Sequence, residues 1–167
     1  MLFIKDLPPS SQSPDPQVDE PSIYFGELSN DYVIVNTDTP EFHYPEGDDN
    51  VFTTYDGDGG VAVSGIVRRL LFGLRFRSLN LVVSEQLQEG SRVLFHRNIR
   101  DRVTTIAPFL RYDADPYLVV SEGRLFWIQD AYTVSDRYPY SAPATTGVNY
   151  IRNSVKIVID VYHGRTT

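Results

Sequence analysis

One stretch of the chain, residues 115–140 (DPYLVVSEGRLFWIQDAYTVSDRYPY), most limits the fold that the sequence can adopt. It holds the only tryptophan, Trp127, and two apolar runs separated by a short Ser-Glu-Gly turn. Gly123 supplies the backbone angles that a tight connection between strands needs. The stretch therefore predicts a β-hairpin, with one strand over residues 117–120 and the other over residues 125–134.

Two further patterns predict strands. Residues 22–27 and 32–36 are rich in aromatic and β-branched side chains and are joined by a polar segment, which predicts a second pair of strands. In residues 148–162 apolar side chains alternate with others, which predicts a long strand that is central or covered. Only three residues follow the turn predicted at His163 and Gly164, too few to pair with so long a strand, and we therefore expect the chain to be cut from a longer protein.

Two segments have helical periodicity. In residues 64–76 one stripe is apolar, and Ser64 is placed to cap the first turn; the stripe is formed by Ile66, Val67, Leu70, Leu71 and Leu74. We expect this stripe to face the core, although the neighbouring arginines make an anionic membrane surface the alternative. Residues 91–107 are predicted as the second helix, because apolar residues recur every three or four positions up to Pro108. Residues 79–83 fit either a strand or a helix.

These elements predict an α+β fold, with a mostly antiparallel β-sheet and two amphipathic helices packed on one of its faces. The length of 167 residues suits a single core. Residues 8–21 contain five of the eleven prolines and no apolar periodicity. We therefore expect an extended proline-rich arm over residues 1–21 and a single α+β domain over residues 22–167, truncated at its C-terminal end.

Composition excludes several classes of function. The absence of cysteine excludes disulfides and cysteine metal sites, and no run reaches the roughly 18 apolar residues that span a bilayer. A net charge of −7 argues against a nucleic-acid partner. The charge is uneven, because residues 1–60 hold thirteen acids and one base whereas residues 61–112 hold nine arginines and three acids. We expect the acidic loops to fold back over the basic helices, with an exposed basic face for an anionic partner as the alternative.

A long acidic loop is predicted over residues 37–60. It suggests a calcium site, because calcium prefers clustered carboxylate and carbonyl oxygens; the candidate ligands are Asp48, Asp49, Asp56 and Asp58. The loop lacks the twelve-residue ligand pattern that ends in glutamate, and Asp-Gly pairs more often mark turns. The sequence therefore favours a loop without a metal or other cofactor, with calcium as the alternative.

No nucleophile motif or spaced histidine pair is present, and His96 is expected to be solvated or packed on its helix. If the chain were part of an enzyme, the candidates would be Asp130, Asp136 and Arg137, near the end of the central hairpin. A carboxylate beside an arginine is also an ordinary structural pair. The sequence therefore favours a non-enzymatic module, with an active site completed by the rest of a longer protein as the alternative.

Several blocks of the sequence carry a family resemblance, among them IYFGELSNDYVIVNT, DDNVFTTYDGDGGV, RNIRDRVTTIAPFL and NYIRNSVKIVIDVYHG. Together with the central hairpin they resemble uncharacterised protein family 0182 from Lys5 to Gly164. The resemblance implies a bacterial integral membrane protein of the cell membrane, with several transmembrane helices before a large extracytoplasmic region. This chain would be an excised piece of that region, its partner would be the remainder of the same protein, and no catalytic residues carry over.

Overall fold

The structure is a computed structural model that describes residues 17–29, 32–46 and 49–167. Its strands are β1 (Tyr32–Thr37), β2 (Glu41–Glu46), β3 (Asp49–Thr53), β4 (Val61–Ala62), β5 (Leu87–Phe95), β6 (Arg111–Tyr112), β7 (Tyr117–Ser121), β8 (Arg124–Ser135) and β9 (Tyr150–Asp160). Its helices are α1 (Ile66–Phe76), α2 (Asn80–Val83) and α3 (Ile99–Ile106). All strand pairs are antiparallel, and the predicted α+β class is confirmed.

The predicted central hairpin is confirmed. Strands β7 and β8 pair in the register Ser121↔Arg124, and the two residues between them have positive φ angles, 51° at Glu122 and 73° at Gly123. Positive φ at both positions is typical of the type I′ turn that matches the twist of two strands. Strand β8 also pairs with β6 and β9, which completes a four-stranded sheet. The long last strand predicted from alternation is β9. It is not central, because β8 is its one partner strand among the described residues, and its covered part is the half with Ile157 and Ile159.

Each of the two longer helices covers its own sheet. On the four-stranded sheet, Ile99 and Val103 of α3 pack against a buried group formed by Ala131, Ile157 and Ile159. A second sheet has the order β1-β5-β4, and Phe72 and Phe76 of α1 pack on a buried group formed by Leu87 and Val93 of β5 with Val63, directly after β4. Two of the three buried groups in the described residues thus lie between a sheet and a helix, and the third is formed by Phe25, Val35, Tyr55 and Leu94.

The predicted pairing of residues 22–27 with residues 32–36 is wrong. Strand β1 pairs with β5, and residues 22–27 contribute a single bridge, between Gly26 and Asn98. The backbone N–H groups of Tyr24 and Phe25 donate to the Val161 carbonyl, whereas that of Gly26 donates to the Arg97 carbonyl. The segment thus divides its hydrogen bonds between two elements and links the sheets instead of forming a ladder in one of them.

The second predicted helix is wrong in its first half. Residues 91–95 belong to β5, which lies between β1 and β4, and the consecutive residues Val93 and Leu94 are both fully buried. Burial on both faces removes the alternation that would have indicated a strand. The helix starts only at Ile99, after Asn98, whose side chain accepts hydrogen bonds from the N–H groups of Arg100 and Asp101. His96 therefore lies before the helix, with a φ of 49°.

The predicted long loop over residues 37–60 contains a hairpin. Strands β2 and β3 pair across it in the register Phe42↔Phe52, and both of these rings are exposed. The alternation of aromatic and polar residues in this region is a strand signal that the density of Asp, Gly and Pro concealed. The predicted Ser64 cap is also wrong, because Gly65 precedes α1 and no side chain caps it. Residues 79–83, left open by the sequence, contain α2.

Most of the predicted arm, residues 1–16, lies outside the described residues. Its end is attached to the central hairpin, because the N–H groups of Asp19 and Glu20 both donate to the Gly123 carbonyl, with N···O distances of 2.8 and 3.4 Å. The turn between β7 and β8 thus fixes Asp19 and Glu20, where the predicted arm joins the domain.

Candidate functional site

The apolar stripe of α1 faces away from the domain. We call it the α1 outer face: Ile66, Val67, Leu70, Leu71 and Leu74, with exposed fractions of 61%, 65%, 51%, 62% and 79%. The expectation that this stripe faces the core is therefore wrong. The residues that pack inward are Phe72, Gly73 and Phe76.

The geometry of the helix explains how both sides can be apolar. Successive residues are rotated by about 100° around an α-helix, so Phe72 and Phe76 lie on the side opposite to Leu70 and Leu74. Gly73 allows close packing, since a Cβ atom there would lie 2.5 Å from a side-chain carbon of Val82 in the segment that follows. A helix that is apolar on opposite sides is typical of one covered on both sides.

Two more exposed apolar side chains follow α1 in the sequence. Leu79, directly before α2, and Val83, its last residue, are 80% and 74% exposed. Burying an exposed leucine, isoleucine or valine stabilises a protein by roughly 1 to 2 kcal/mol when half or more of its surface is removed from water. The five residues of the α1 outer face form a larger apolar surface than singly scattered exposed residues would, and such surfaces are typical of interaction sites.

The arginines of α1 flank this surface. Arg68 and Arg75 are exposed, whereas Arg69 turns inward and donates to the Leu87 carbonyl at 2.8 Å. At about 100° per residue, Arg68 and Arg75 lie together along one border of the α1 outer face. The surface is therefore an apolar stripe with a cationic border on one side.

A cleft of about 500 Å³ lies between the end of α1 and α3. Its lining mixes aromatic, basic and acidic side chains: Arg75, Phe76, Phe95, His96, Arg97, Asn98, Asp101, Thr104 and Thr105. The Nε of Arg97 donates a hydrogen bond to the Tyr24 carbonyl at 2.7 Å, which fixes the position of the side chain. Burial lowers the pKa of the Arg97 guanidinium. The cleft adjoins the α1 outer face through Arg75.

The acidic candidates of the loop take separate partners. Asp56 accepts a hydrogen bond from the Tyr162 hydroxyl at 2.6 Å, within a cluster of the rings of Tyr24, Tyr55 and Tyr162. Burial, and then the hydrogen bond to Asp56, raises the pKa of Tyr162. Asp49 begins β3 and is exposed, and Asp48 lies outside the described residues.

The Asp58 side chain pairs with His163 and Arg165 of the C-terminal segment. Its carboxylate contacts Arg165 and lies 2.9 Å from Nδ1 of His163, and the hydrogen bond from Arg165 lowers the pKa of Asp58. Arg92 holds the same loop through the carbonyl oxygens of residues 58–60, with N···O distances from 2.6 to 3.0 Å. The loop thus lies against arginines from β5 and the C-terminal segment. Within the described ranges, no three histidine or carboxylate side chains are grouped to hold a metal ion.

We predict that calcium does not stabilise the fold, because Asp56 and Asp58 are already bonded to Tyr162 and Arg165. Melting curves with and without millimolar calcium test this prediction. A site occupied at one hundred times its dissociation constant would stabilise the fold by about 2.7 kcal/mol. A shift of that size, lost in the variant Asp56→Asn with Asp58→Asn, would contradict the prediction and make the loop a calcium site.

The three catalytic candidates do not form one group. Asp130 pairs with Lys156, whereas Asp136 and Arg137 pair with each other. Asp130 on β8 accepts from Lys156 of β9 at 2.8 Å, and this bond raises the pKa of Lys156. Lys156 also donates to the Tyr117 hydroxyl at 2.8 Å. Asp136 and Arg137 follow β8 and are largely exposed, with 3.7 Å between Oδ1 of Asp136 and Nε of Arg137. None of the three lines the cleft beside α1.

Comparison with known proteins identifies the family. The model of an uncharacterised protein family, UPF0182, matches residues 1–167. The chain belongs to this family. Among its relatives, a UPF0182 protein of Pelotomaculum thermopropionicum is 53% identical and one of Cupriavidus necator is 54% identical. In both cases the match covers 98% of this chain and 18% of the relative.

The UPF0182 chain thus spans less than a fifth of the length of the curated relatives that it matches, including one from Trichlorobacter lovleyi that is 55% identical. No solved structure matches it. Within the described residues, every helix is too short or too polar to cross a bilayer, and the longest, α1, has eleven residues. The sequence had indicated the apolar stripe of α1 and favoured a position facing the core, with an outward position on an anionic membrane surface as the alternative.

Proposed function

We propose that this UPF0182 chain is a non-enzymatic interaction module, and that its α1 outer face packs against the remainder of the same polypeptide. The observation that carries the proposal is the exposure of five apolar side chains on the side of α1 opposite to Phe72 and Phe76. The extracytoplasmic position in a membrane protein that the family resemblance implies is part of the proposal.

The occupant we propose is protein and not lipid. The matched relatives are more than five times as long as the matched segment, so most of their polypeptide lies outside it. The cationic border made by Arg68 and Arg75 lies on one side of the stripe, whereas a helix lying on a membrane is typically cationic over its whole polar face. The net charge of −7 further opposes binding to an anionic lipid surface.

Cysteine labelling tests the proposal, because this chain has no cysteine of its own. In the complete protein, with any cysteines outside this chain replaced by serine, Leu71→Cys should react with a water-soluble maleimide at least ten times more slowly than Ile106→Cys. The two positions are a matched pair, since Leu71 is 62% exposed and Ile106, on α3, is 59% exposed. Equal rates would contradict the proposal.

Detergent distinguishes protein from lipid as the occupant. If Leu71→Cys still reacts slowly with the maleimide after the membrane is dissolved in a mild detergent, the result supports packing against polypeptide. Protection that disappears on extraction, while the complete protein stays folded by circular dichroism, would show that lipid covers the α1 outer face.

A further inference from the structure

The two edges of β9 differ. One edge is paired with β8 from Phe126↔Asp160 to Ser135↔Tyr150, with a single irregularity at Ser154. On the other edge the chain turns back at His163 and Gly164, and the Gly164 N–H closes the turn on the Asp160 carbonyl at 2.8 Å. The last three residues then begin to pair with β9.

This pairing has a defined register. Val158 and Thr167 exchange both backbone hydrogen bonds, with N···O distances of 2.8 and 3.0 Å, and the Asp160 N–H donates to the Arg165 carbonyl at 2.9 Å. Reciprocal bonds of this kind mark a directly opposed pair in an antiparallel ladder. Residues 165–167 are therefore held against β9 in antiparallel register, around the bridge between Ile159 and Thr166.

The rest of this edge has no partner strand among the described residues. Because backbone groups alternate between the two edges of a strand, the N–H and C=O of Lys156 point to the same side as those of Val158. Residues 151–154 are exposed, and Ile151 is an apolar side chain with 60% of its surface in water. An unpaired edge of this length is a template for another strand.

We propose that the edge of β9 over residues 150–157 is a strand-addition site, and that its occupant is the polypeptide that follows Thr167 in the complete protein. The added strand runs antiparallel to β9 in the register set by Val158 and Thr167. The second residue after Thr167 then lies opposite Lys156. This inference concerns a surface separate from the α1 outer face and does not depend on its role.

The charges and shape of the edge favour an attached strand over a second copy of this chain. Two β9 strands paired about the middle of the free edge would bring Arg152 of one copy close to Lys156 of the other, and facing like charges destabilise a sheet. Strand β9 also has an irregularity, since Ala131 pairs with Val155 but Tyr132 pairs with Asn153, which leaves Ser154 unpaired. Bulges and cations on an edge are typical protections against self-association.

Covalent attachment adds to this preference. A strand that continues from Thr167 has a high effective concentration at the edge, because its first residues are already in place. Each further residue extends an existing ladder and does not need to start a new one. The free edge thus fits a continuing strand better than a separate peptide.

Disulfide trapping in the complete protein tests the register, with any cysteines outside this chain replaced by serine. Lys156→Cys is combined with a cysteine at the second residue after Thr167, which should face the same side of the sheet. The matched control places the cysteine at the third residue, whose side chain points to the opposite side. We expect at least ten times more intramolecular disulfide in the first variant than in the control.

Equal cross-linking in the two variants, or none in either, would overturn the proposal. Disulfide-linked dimers of Lys156→Cys alone would also overturn it, because they would show that a second copy occupies the edge. If the double variants fail to fold, hydrogen exchange of the unmodified complete protein decides. The Lys156 amide should exchange at least ten times more slowly than an unpaired amide, and exchange at the unpaired rate would overturn the proposal.

Discussion

Trp127→Ala should destabilise the fold by about 3 to 5 kcal/mol, the range for removing a large aromatic side chain from a core. Trp127 lies on β8 opposite Ile159, and its partly buried ring packs on the buried group that α3 shares with the four-stranded sheet. Its indole N–H donates to the Phe25 carbonyl at 3.2 Å, which connects the sheet to the segment that links the two sheets. Urea unfolding followed by circular dichroism measures the loss.

Two controls separate the contributions. Trp127→Phe keeps an aromatic ring but removes the hydrogen bond and part of the ring system, so it should cost about 1 kcal/mol for the hydrogen bond plus a small packing loss. Phe109→Ala removes a ring that is 77% exposed and should change the free energy of unfolding by no more than about 0.5 kcal/mol. If Trp127→Ala were as mild as Phe109→Ala, Trp127 would not belong to the core.

The hairpin around Trp127 could be predicted because its determinants are local. Two apolar runs flank a turn in which Gly123 takes a positive φ, and the observed strands, β7 and β8, extend the predicted ones by one residue at the turn. Strand β9 was predictable for the same reason, since its alternation lies within one continuous segment. Signals of this kind need no knowledge of the rest of the chain.

The partners of each strand could not be predicted, because pairing depends on residues distant in sequence. Strand β1 was expected to pair with residues 22–27 but pairs with β5, more than fifty residues further along. The apolar spacing at Phe95, Ile99, Val103 and Ile106 matched a helix although Phe95 ends a strand. Spacing every three or four residues arose here by chance across a strand, a turn and a helix.

The candidate site illustrates a different limit. Periodicity identified the stripe of α1, but it gives no information about which side of a helix the domain covers. Phe72 and Phe76 are also apolar and lie on the opposite side, so the sequence of α1 contains two possible buried faces. The choice between them depends on Val63, Leu87 and Val93, which lie outside α1.

The acidic loop shows that the distribution of charge along a sequence predicts that oppositely charged segments associate, but not which residues contact each other. The loop was expected to lie against basic helices, and instead Arg92 of a strand binds its carbonyl oxygens while Arg165 binds Asp58. Arginine in this setting acts as a hydrogen-bond donor to backbone as much as an ion-pair partner. Composition alone cannot distinguish these two roles.

The second large effect is expected for Gly164→Ala, which should destabilise the fold by about 2 to 5 kcal/mol. Gly164 has a φ of 71°, where a residue with a Cβ atom loses roughly 1 to 2 kcal/mol. A Cβ atom there would also lie 2.5 Å from the ring of Phe25, which is 1% exposed and stacks under Arg102, 4.9 Å from the ring centre. Forcing a buried ring to move typically adds about 1 to 3 kcal/mol.

Gly147→Ala is the matched control, because Gly147 has a φ of 80° but no atom within 4 Å of the added Cβ. Gly147→Ala should lower the free energy of unfolding only through the strained backbone angle. The difference in free energy of unfolding between the two variants therefore measures the collision with Phe25. The Gly164 carbonyl accepts from Arg102 and the same turn starts the pairing of Val158 with Thr167, so the damage should extend to the free edge of β9. Equal losses in the two variants, measured by urea unfolding, would show that Phe25 moves aside freely and that this junction is not tightly packed.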